Sequence, residues 1–227
     1  MATRTALVTG ANGELGRAIS EQLAAAGLQV VVAAREREVA DQVAAGIGAG
    51  ARAVAMDVTD PDSVRRAVDA AGPVDVLVNN AGVLLDAGSR PVTADLGAVA
   101  QEFAVNALGA WRVAQAVLPG MLSRRWGRVV NISSGTGSFA FGLFPSAPGY
   151  SASKTALNAV TVLLAKDTEG TGVLVNAINP GQLRSRMRPQ GKRLPEEAAV
   201  DVANLVALPD DGPTGTFFRA GGQVMAW

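Results

Sequence analysis

The sequence predicts an α/β fold, a single-domain doubly wound parallel sheet with helices on both faces, formed from all 227 residues. Short runs of Val, Leu and Ile alternate with stretches of helical periodicity along the whole chain. Strands that are apolar without alternation are buried on both faces, as in a parallel sheet covered by helices. The glycine-rich and polar segments follow the strands, and open α/β sheets bind ligands beyond those carboxyl ends. No linker or internal repeat interrupts the pattern.

Residues 5–8 form the first strand, which stops at Gly10. Leu15, Ile19 and Leu23 then recur every four residues, the period of a helix, and Gly27 ends it. Residues 28–34 hold three consecutive valines and read as the second strand, followed by a charged helix over 35–45. Residues 51–56 are the third strand. Thr59 or Asp60 can cap the next helix, which runs toward Ala71 with Pro61 in its first turn. Residues 74–78 give the fourth strand and 94–123 a long helical region. Residues 127–132, 151–166 and 173–178 give strand, helix and strand, and 195–208 and 216–218 a late helix and a short closing strand.

Composition removes several function classes. Hydrophobic residues make up 48% and charged residues 18%, which excludes a disordered chain. Lys+Arg and Asp+Glu are 20 each, so no net field draws nucleic acid or an anionic membrane. No apolar run is long enough to cross a bilayer. The first strand begins at Thr5, leaving no room for a separate signal peptide, and a cytoplasmic location is expected. With neither cysteine nor histidine, disulfides, thiolate chemistry and the usual zinc and copper sites are excluded. No carboxylate cluster has the spacing of a magnesium or calcium site, so no metal is expected. Acid–base chemistry near neutral pH falls to carboxylates, lysines and Tyr150, the only tyrosine.

Thr9-Gly10-Ala11-Asn12-Gly13-Glu14-Leu15-Gly16 lies between the first strand and first helix. Glycines there allow a tight turn and close approach of a pyrophosphate to the helix N-terminus, although such a turn can also merely join strand to helix. It lacks the lysine of a P-loop. Gly10, Asn12, Gly13 and Leu15 are the candidate contacts. After the second strand, Ala34-Arg35-Glu36-Arg37 places a small residue and an arginine where NAD sites have an acid. Arginine suits a ribose 2′-phosphate, favouring NADP(H) over NAD(H), unless Arg35 and Arg37 only solvate a helix start. Asp57-Val58 follows the third strand, where it can meet the adenine or cap a helix. Asn79-Asn80-Ala81-Gly82 follows the fourth, binding cofactor groups or forming a turn.

Tyr150-Ser151-Ala152-Ser153-Lys154 puts a phenol and an ammonium on one face if helical. A cationic neighbour lowers a tyrosine's pKa from about 10. The spacing alone allows either packing or catalysis.

In this order, the glycine turn, Asn79-Asn80-Ala81-Gly82, Asn106, Asn131-Ile132-Ser133-Ser134, the Tyr150/Lys154 segment and Pro180-Gly181 resemble the short-chain dehydrogenase/reductase family, classical type, over nearly the whole chain. The resemblance implies a Rossmann-like NAD(P)-binding catalytic domain. It implies hydride transfer between NADP(H) and a carbonyl or alcohol, most often reduction of a ketone or aldehyde. It carries catalytic roles to Asn106, Ser134 (rather than Ser133), Tyr150 and Lys154. Tyr150 would donate the proton and Ser134 would hold the carbonyl oxygen. Lys154 would lower the Tyr150 pKa and hold the nicotinamide ribose, and Asn106 would keep a water-linked proton path open. Cofactor contacts are implied for Asn80, Ala81 and Gly82, for Tyr150 and Lys154, and for Pro180, Gly181, Leu183 and Ser185.

Two departures stand out. The turn reads Thr-Gly-x-x-Gly-x-x-Gly, as in the extended members that include sugar-nucleotide epimerases and dehydratases, yet the chain lacks their added substrate-binding segment. Glu14 sits inside that turn, where it repels phosphates if turned inward. A dinucleotide-binding structural or regulatory protein is the alternative class. Substrate loops are expected near 135–149 and 182–194. Phe139, Phe141, Leu143, Phe144 and Pro145 line a pocket or join the core. Arg184, Arg186, Arg188, Lys192 and Arg193 form a solvated basic loop or meet an anion. The helix after Tyr150 carries Leu157, Val160, Leu163 and Leu164, an apolar surface broad enough to cover the sheet and pair with a second subunit. A homodimer or homotetramer is expected, with Trp227 packed on its own subunit or on a partner.

Overall fold

In the computed structural model, residues 3–48, 50–184 and 189–227 are described. Eight strands form one sheet in the order β3-β2-β1-β4-β5-β6-β7-β8. They are β1 (Thr5–Thr9), β2 (Gln29–Ala34), β3 (Arg52–Ala55), β4 (Val76–Asn79), β5 (Gly127–Ile132), β6 (Val173–Asn179), β7 (Phe217–Arg219) and β8 (Gln223–Met225). All neighbouring pairs are parallel except β7 with β8.

Alternate residues of each strand feed opposite layers. Leu7, Val31 and Leu77 pack on one face with α3 (Pro61–Ala71), α5 (Ala110–Arg124) and α6 (Pro148–Asp167). Ala6, Val8, Val30, Val32, Val76 and Val78 pack on the other with α1 (Glu14–Ala25), α2 (Arg37–Ile47) and α7 (Pro195–Val206). Both faces exclude water, which is why the strands lack polar alternation; each fully buried Val, Leu or Ile contributes about 1.5–3 kcal/mol.

The expected helix over 94–123 is three pieces: α4 (Leu96–Phe103), one π-helical segment (Ala104–Gly109) and α5. The closing strand is followed by β8, an antiparallel return made possible by Gly221 and Gly222 at φ +78° and +73°. The cap of α3 is Asp60, which accepts from Asp62 N at 2.9 Å, rather than Thr59. The sheet order reverses between β1 and β4. That switch point opens a crevice at the carboxyl ends of the strands.

Candidate active site and dinucleotide cleft

The glycine turn is built against the end of β4. Asn80 Nδ2 donates to Thr9 O and Gly10 O, both at 3.0 Å, and Thr9 Oγ1 accepts from Asn80 N and Ala81 N, both at 3.1 Å. Gly10 has φ +61°, and a methyl group there would lie 2.8 Å from Ala81 Cα. A methyl on Gly16 would lie 2.5 Å from Asn80 Nδ2 and from Gly10 O. At Gly13 the only such neighbour is Gly10 O at 3.5 Å, an ordinary contact. Packing thus requires Gly10 and Gly16 but leaves Gly13 with space in front of it. No side chain caps α1 at Gly13, so the first-turn N–H groups can meet an anion. These features fit a dinucleotide pyrophosphate. Asn12 is exposed, Leu15 half-buried against the core, and Glu14 exposed at the outer cleft beside Arg17, Glu21 and Arg184.

Arg35 is exposed just beyond β2. Its charge helps hold Asp57 below the usual carboxylate range, after the larger effect of hydrogen bonds from the Thr59 hydroxyl and N–H. Arg37 behaves differently, being in an ion pair with Asp41 at 2.9 Å on the outside of α2. Asp57 closes a local turn, accepting from Thr59 N at 2.8 Å and Thr59 Oγ1 at 2.7 Å. Val58 is buried in the core, and its carbonyl accepts from Arg112 Nη1 at 2.5 Å.

The π-helical segment turns Asn106 wholly inward. Asn106 Oδ1 accepts from Val83 N at 2.8 Å, and Nδ2 donates to Val83 O and Ser153 Oγ, both at 2.9 Å. Its side chain therefore ties the loop after β4 to α6, and both amide atoms are engaged by protein. Gly82 lies between: a methyl there would stand 3.2 Å from Asn106 Oδ1 and 3.5 Å from Lys154 Nζ. Asn79 and Asn131, at matched positions on β4 and β5, are linked at 2.9 Å.

Ser133 and Ser134 separate cleanly. Ser133 is buried and donates to Asn158 Oδ1 at 2.6 Å, a structural bond. Ser134 opens a short turn, accepting from Thr136 N at 3.2 Å and Thr136 Oγ1 at 3.0 Å, and its side chain stands close enough to Tyr150 to favour the phenolate. Tyr150 and Lys154 stand one turn apart on α6, with Nζ 5.7 Å from the ring centroid and donating to Ile132 O at 2.8 Å.

The expected lowering of the Tyr150 pKa is corrected here. Burial pushes the phenol up to about 12, opposed by the Ser134 side chain and with a smaller rise from the Glu102 charge. Burial likewise pushes Lys154 down to about 8. Lys154 is not among the influences on the phenol, and its ammonium donates to Ile132 O. A phenol with a raised pKa is fully protonated at neutral pH, the form needed to donate a proton.

At the far side of the cleft, Gly181 has φ +86° and Pro180 O accepts from Arg193 Nη1 at 2.6 Å. Leu183 pairs with Arg193 in an isolated parallel bridge. Arg193 also donates to Glu197 O at 2.9 Å and pairs with Asp201. It is therefore a strut between the chain after β6 and α7 rather than a solvated charge. Ser185, Arg186 and Arg188 lie outside the described residues.

Phe139, Phe141, Leu143 and Phe144 are 71%, 63%, 42% and 49% exposed, which rules out the core reading. Their loop is held from behind, where Ser138 Oγ donates to Ala226 O at 2.8 Å and Ala140 N to Trp227 O at 3.1 Å. Trp227 stacks on Phe217 of its own chain, centroids 5.2 Å apart. On α6, Leu157, Val160 and Leu164 are buried against the sheet, and Leu163 alone of the four is exposed. Among the described residues no helix is long and apolar enough to cross a membrane, and no group of three acidic side chains is placed to hold a metal.

Sequence reasoning missed two buried carboxylates beside this site, Asp86 and Glu102. Glu102 stands one turn before Asn106, and that i,i+4 spacing was the available signal once Asn106 faced inward.

The family described as short chain dehydrogenase matches residues 4–194. The chain is 38% identical to 1-deoxy-11-beta-hydroxypentalenate dehydrogenase of Streptomyces exfoliatus over 218 residues, 90% of this chain and 78% of that protein. It is 37% identical to acetoacetyl-CoA reductase of Cupriavidus necator over 198 residues, 82% of this chain and 77% of the relative. A solved short chain dehydrogenase/reductase family protein superposes with a TM-score of 0.86 at 33% identity, covering 96% of this chain and 95% of that one.

Proposed function

Since this chain belongs to the classical short-chain dehydrogenase/reductase family and is an oxidoreductase of that family, we propose that it uses NADP(H) in preference to NAD(H) to reduce a ketone or aldehyde. The observation that carries this reading is the convergence of Ser134, at the carboxyl end of β5, with Tyr150 and with Lys154 one turn behind it, whose Nζ reaches toward Gly82. Reductases acting on acyl-linked carbonyls, such as the acetoacetyl-CoA reductase, are among the similar proteins and support the reductive direction.

The turn at Gly10, Asn12, Gly13 and Leu15 would hold the pyrophosphate, Arg35 the 2′-phosphate, and Asp57 and Val58 the adenine side. Asn80, Ala81 and Gly82, with Pro180, Gly181, Leu183 and Ser185, would hold the remainder. When bound, the cofactor supplies the hydride. The chain's own residues handle the proton and the oxygen. Ser134 holds the carbonyl oxygen by donating a hydrogen bond, and Tyr150 gives its proton to that oxygen as negative charge develops. Lys154, charged at neutral pH with a pKa of about 8, would hold the ribose. Asn106 holds the loop carrying Gly82 against α6. The exposed Phe139, Phe141 and Phe144 form an apolar mouth for an organic substrate.

Exposed Leu163, with Leu108 in the π-helical segment, supports a homodimer or homotetramer, the tetramer favoured; light scattering over a concentration series measures this. A cytoplasmic location goes with the reading. The primary experiment compares NADPH and NADH oxidation over a panel of ketones and aldehydes, for wild type and Tyr150→Phe. Loss of about 10²-fold or more in kcat is expected for the variant. Full activity in a folded, cofactor-binding Tyr150→Phe protein would sink the assignment of the proton donor.

A further inference from the structure

Helix α6 carries Tyr150 at its third residue, yet it has no cap of its own. Its N-cap, Ala147, offers no side-chain hydrogen bond, and Pro148 has no N–H to donate. The first available donor, Gly149 N, goes instead to Asp86 Oδ2 at 2.5 Å, from the loop after β4. Asp86 is 3% exposed, a buried carboxylate placed at the positive end of a helix.

A second carboxylate meets it there. Glu102 on α4 is 0% exposed, and its Oε1 accepts from Leu85 N at 2.7 Å. A methyl on Gly149 would collide with Glu102 Oε2 and stand 3.1 Å from Asp86 Oδ2, so both side chains converge on this glycine. Among the described residues, Glu102 Oε2 and Asp86 Oδ1 are buried and accept no hydrogen bond. Two buried carboxylates side by side do not both ionise. One proton between them satisfies an orphaned oxygen and removes one charge.

We propose that Glu102 and Asp86 share one proton, and that this acid–carboxylate pair is a positioning element that caps α6 and so sets the place of the Tyr150 phenol. Glu102 is the protonated member. Asp86 accepts the Gly149 N–H at the positive end of α6, whereas the Leu85 N–H that Glu102 accepts belongs to a loop. Burial, with the Asp86 charge and side chain adding to it, holds the Glu102 carboxyl above its usual range against the lowering by the Leu85 and Asp86 N–H groups. The groups facing the pair are Tyr150 on α6, whose own pKa Glu102 raises, and Lys154 one turn on, whose ammonium is turned to Ile132 O. Glu102 ionisation would place a second negative charge beside Asp86 and Tyr150, and the cap would loosen.

The inference rests on the oxidoreductase reading for its kinetic consequence, while the shared proton is detectable without turnover. In the NADPH-bound protein near neutral pH, infrared difference spectra of wild type against Glu102→Gln should contain the C=O stretch of a protonated carboxylic acid, moving in D₂O. Glu102→Ala is expected to lower kcat about tenfold or more by misplacing the phenol, with NADPH affinity retained. Glu102→Gln can donate to Asp86 and accept from Leu85 N, so it should recover most of that loss. It should also remove from the kcat profile the ionisation through which wild type loses turnover as pH rises. Absence of the acid band would overturn the shared proton. Equal kcat for Glu102→Ala and Glu102→Gln would overturn the positioning role.

Discussion

Gly13 and Gly16 share one turn but are expected to fail in different ways when each is replaced by alanine. A methyl on Gly16 would sit 2.5 Å from Asn80 Nδ2 and Gly10 O and 2.8 Å from Ala11 Cα, about 1 Å inside an ordinary contact. Asn80 cannot withdraw without lengthening its two 3.0 Å bonds to Thr9 O and Gly10 O. Overpacking costs about 1–3 kcal/mol and a lost hydrogen bond about 1 kcal/mol. Replacing a helical glycine returns about 1 kcal/mol of propensity. The net is about 1–3 kcal/mol of destabilisation, a fall in Tm of about 2–12 °C for a chain of this size.

Gly13 has φ −80° and ψ 160°, which alanine adopts without strain, and its nearest neighbour is 3.5 Å away. The reduced entropy of the unfolded chain, about 0.4–1 kcal/mol, offsets the poorer N-cap, so Tm should hardly move. Its affinity for both NADPH and NADH should nevertheless fall about tenfold or more, since the methyl occupies the approach of the pyrophosphate. Scanning calorimetry and cofactor titration read both effects. A Gly16→Ala protein with wild-type Tm, or a Gly13→Ala protein destabilised as much as Gly16→Ala, would refute the division between a packing glycine and a ligand glycine.

Cofactor choice gives a second prediction. Arg35→Asp should weaken NADPH about 10–100-fold and NADH much less, because it removes a charge-assisted bond and sets a second carboxylate near Asp57; equal effects in a binding titration would refute the role of Arg35. A third concerns Lys154, which burial lowers from 10.5 to about 8. The unfolded chain keeps this proton up to about pH 10.4, whereas the fold releases it near 8, so stability rises with pH between those values. Wild type should gain about 3 kcal/mol relative to Lys154→Met over that window in urea unfolding. Parallel stability curves for the two proteins would show that the lysine is not desolvated.

The periodicity of apolar residues determined most of the architecture by itself. Strands such as residues 30–32, three consecutive valines, have only one comfortable environment, a sheet covered on both faces, and helical stretches separate most of them. The candidate site was legible through the family resemblance of its ordered motifs. The glycine turn follows β1 and Ser134, Tyr150 and Lys154 follow β5, the strands on either side of β4, so the sheet gathers them at one end. Tertiary structure decided whatever depended on desolvation or on a distant partner. Lys154 beside Tyr150 implied a lowered phenol pKa, yet burial, with the Glu102 charge adding to it, reversed the sign. The sequence could not show which of Gly10, Gly13 and Gly16 the fold itself needs, because Asn80 and Ala81, which crowd two of them, lie some 70 residues away. Asp86 and Glu102 read as ordinary acids until folding removed both from water and set them against one glycine at the start of α6.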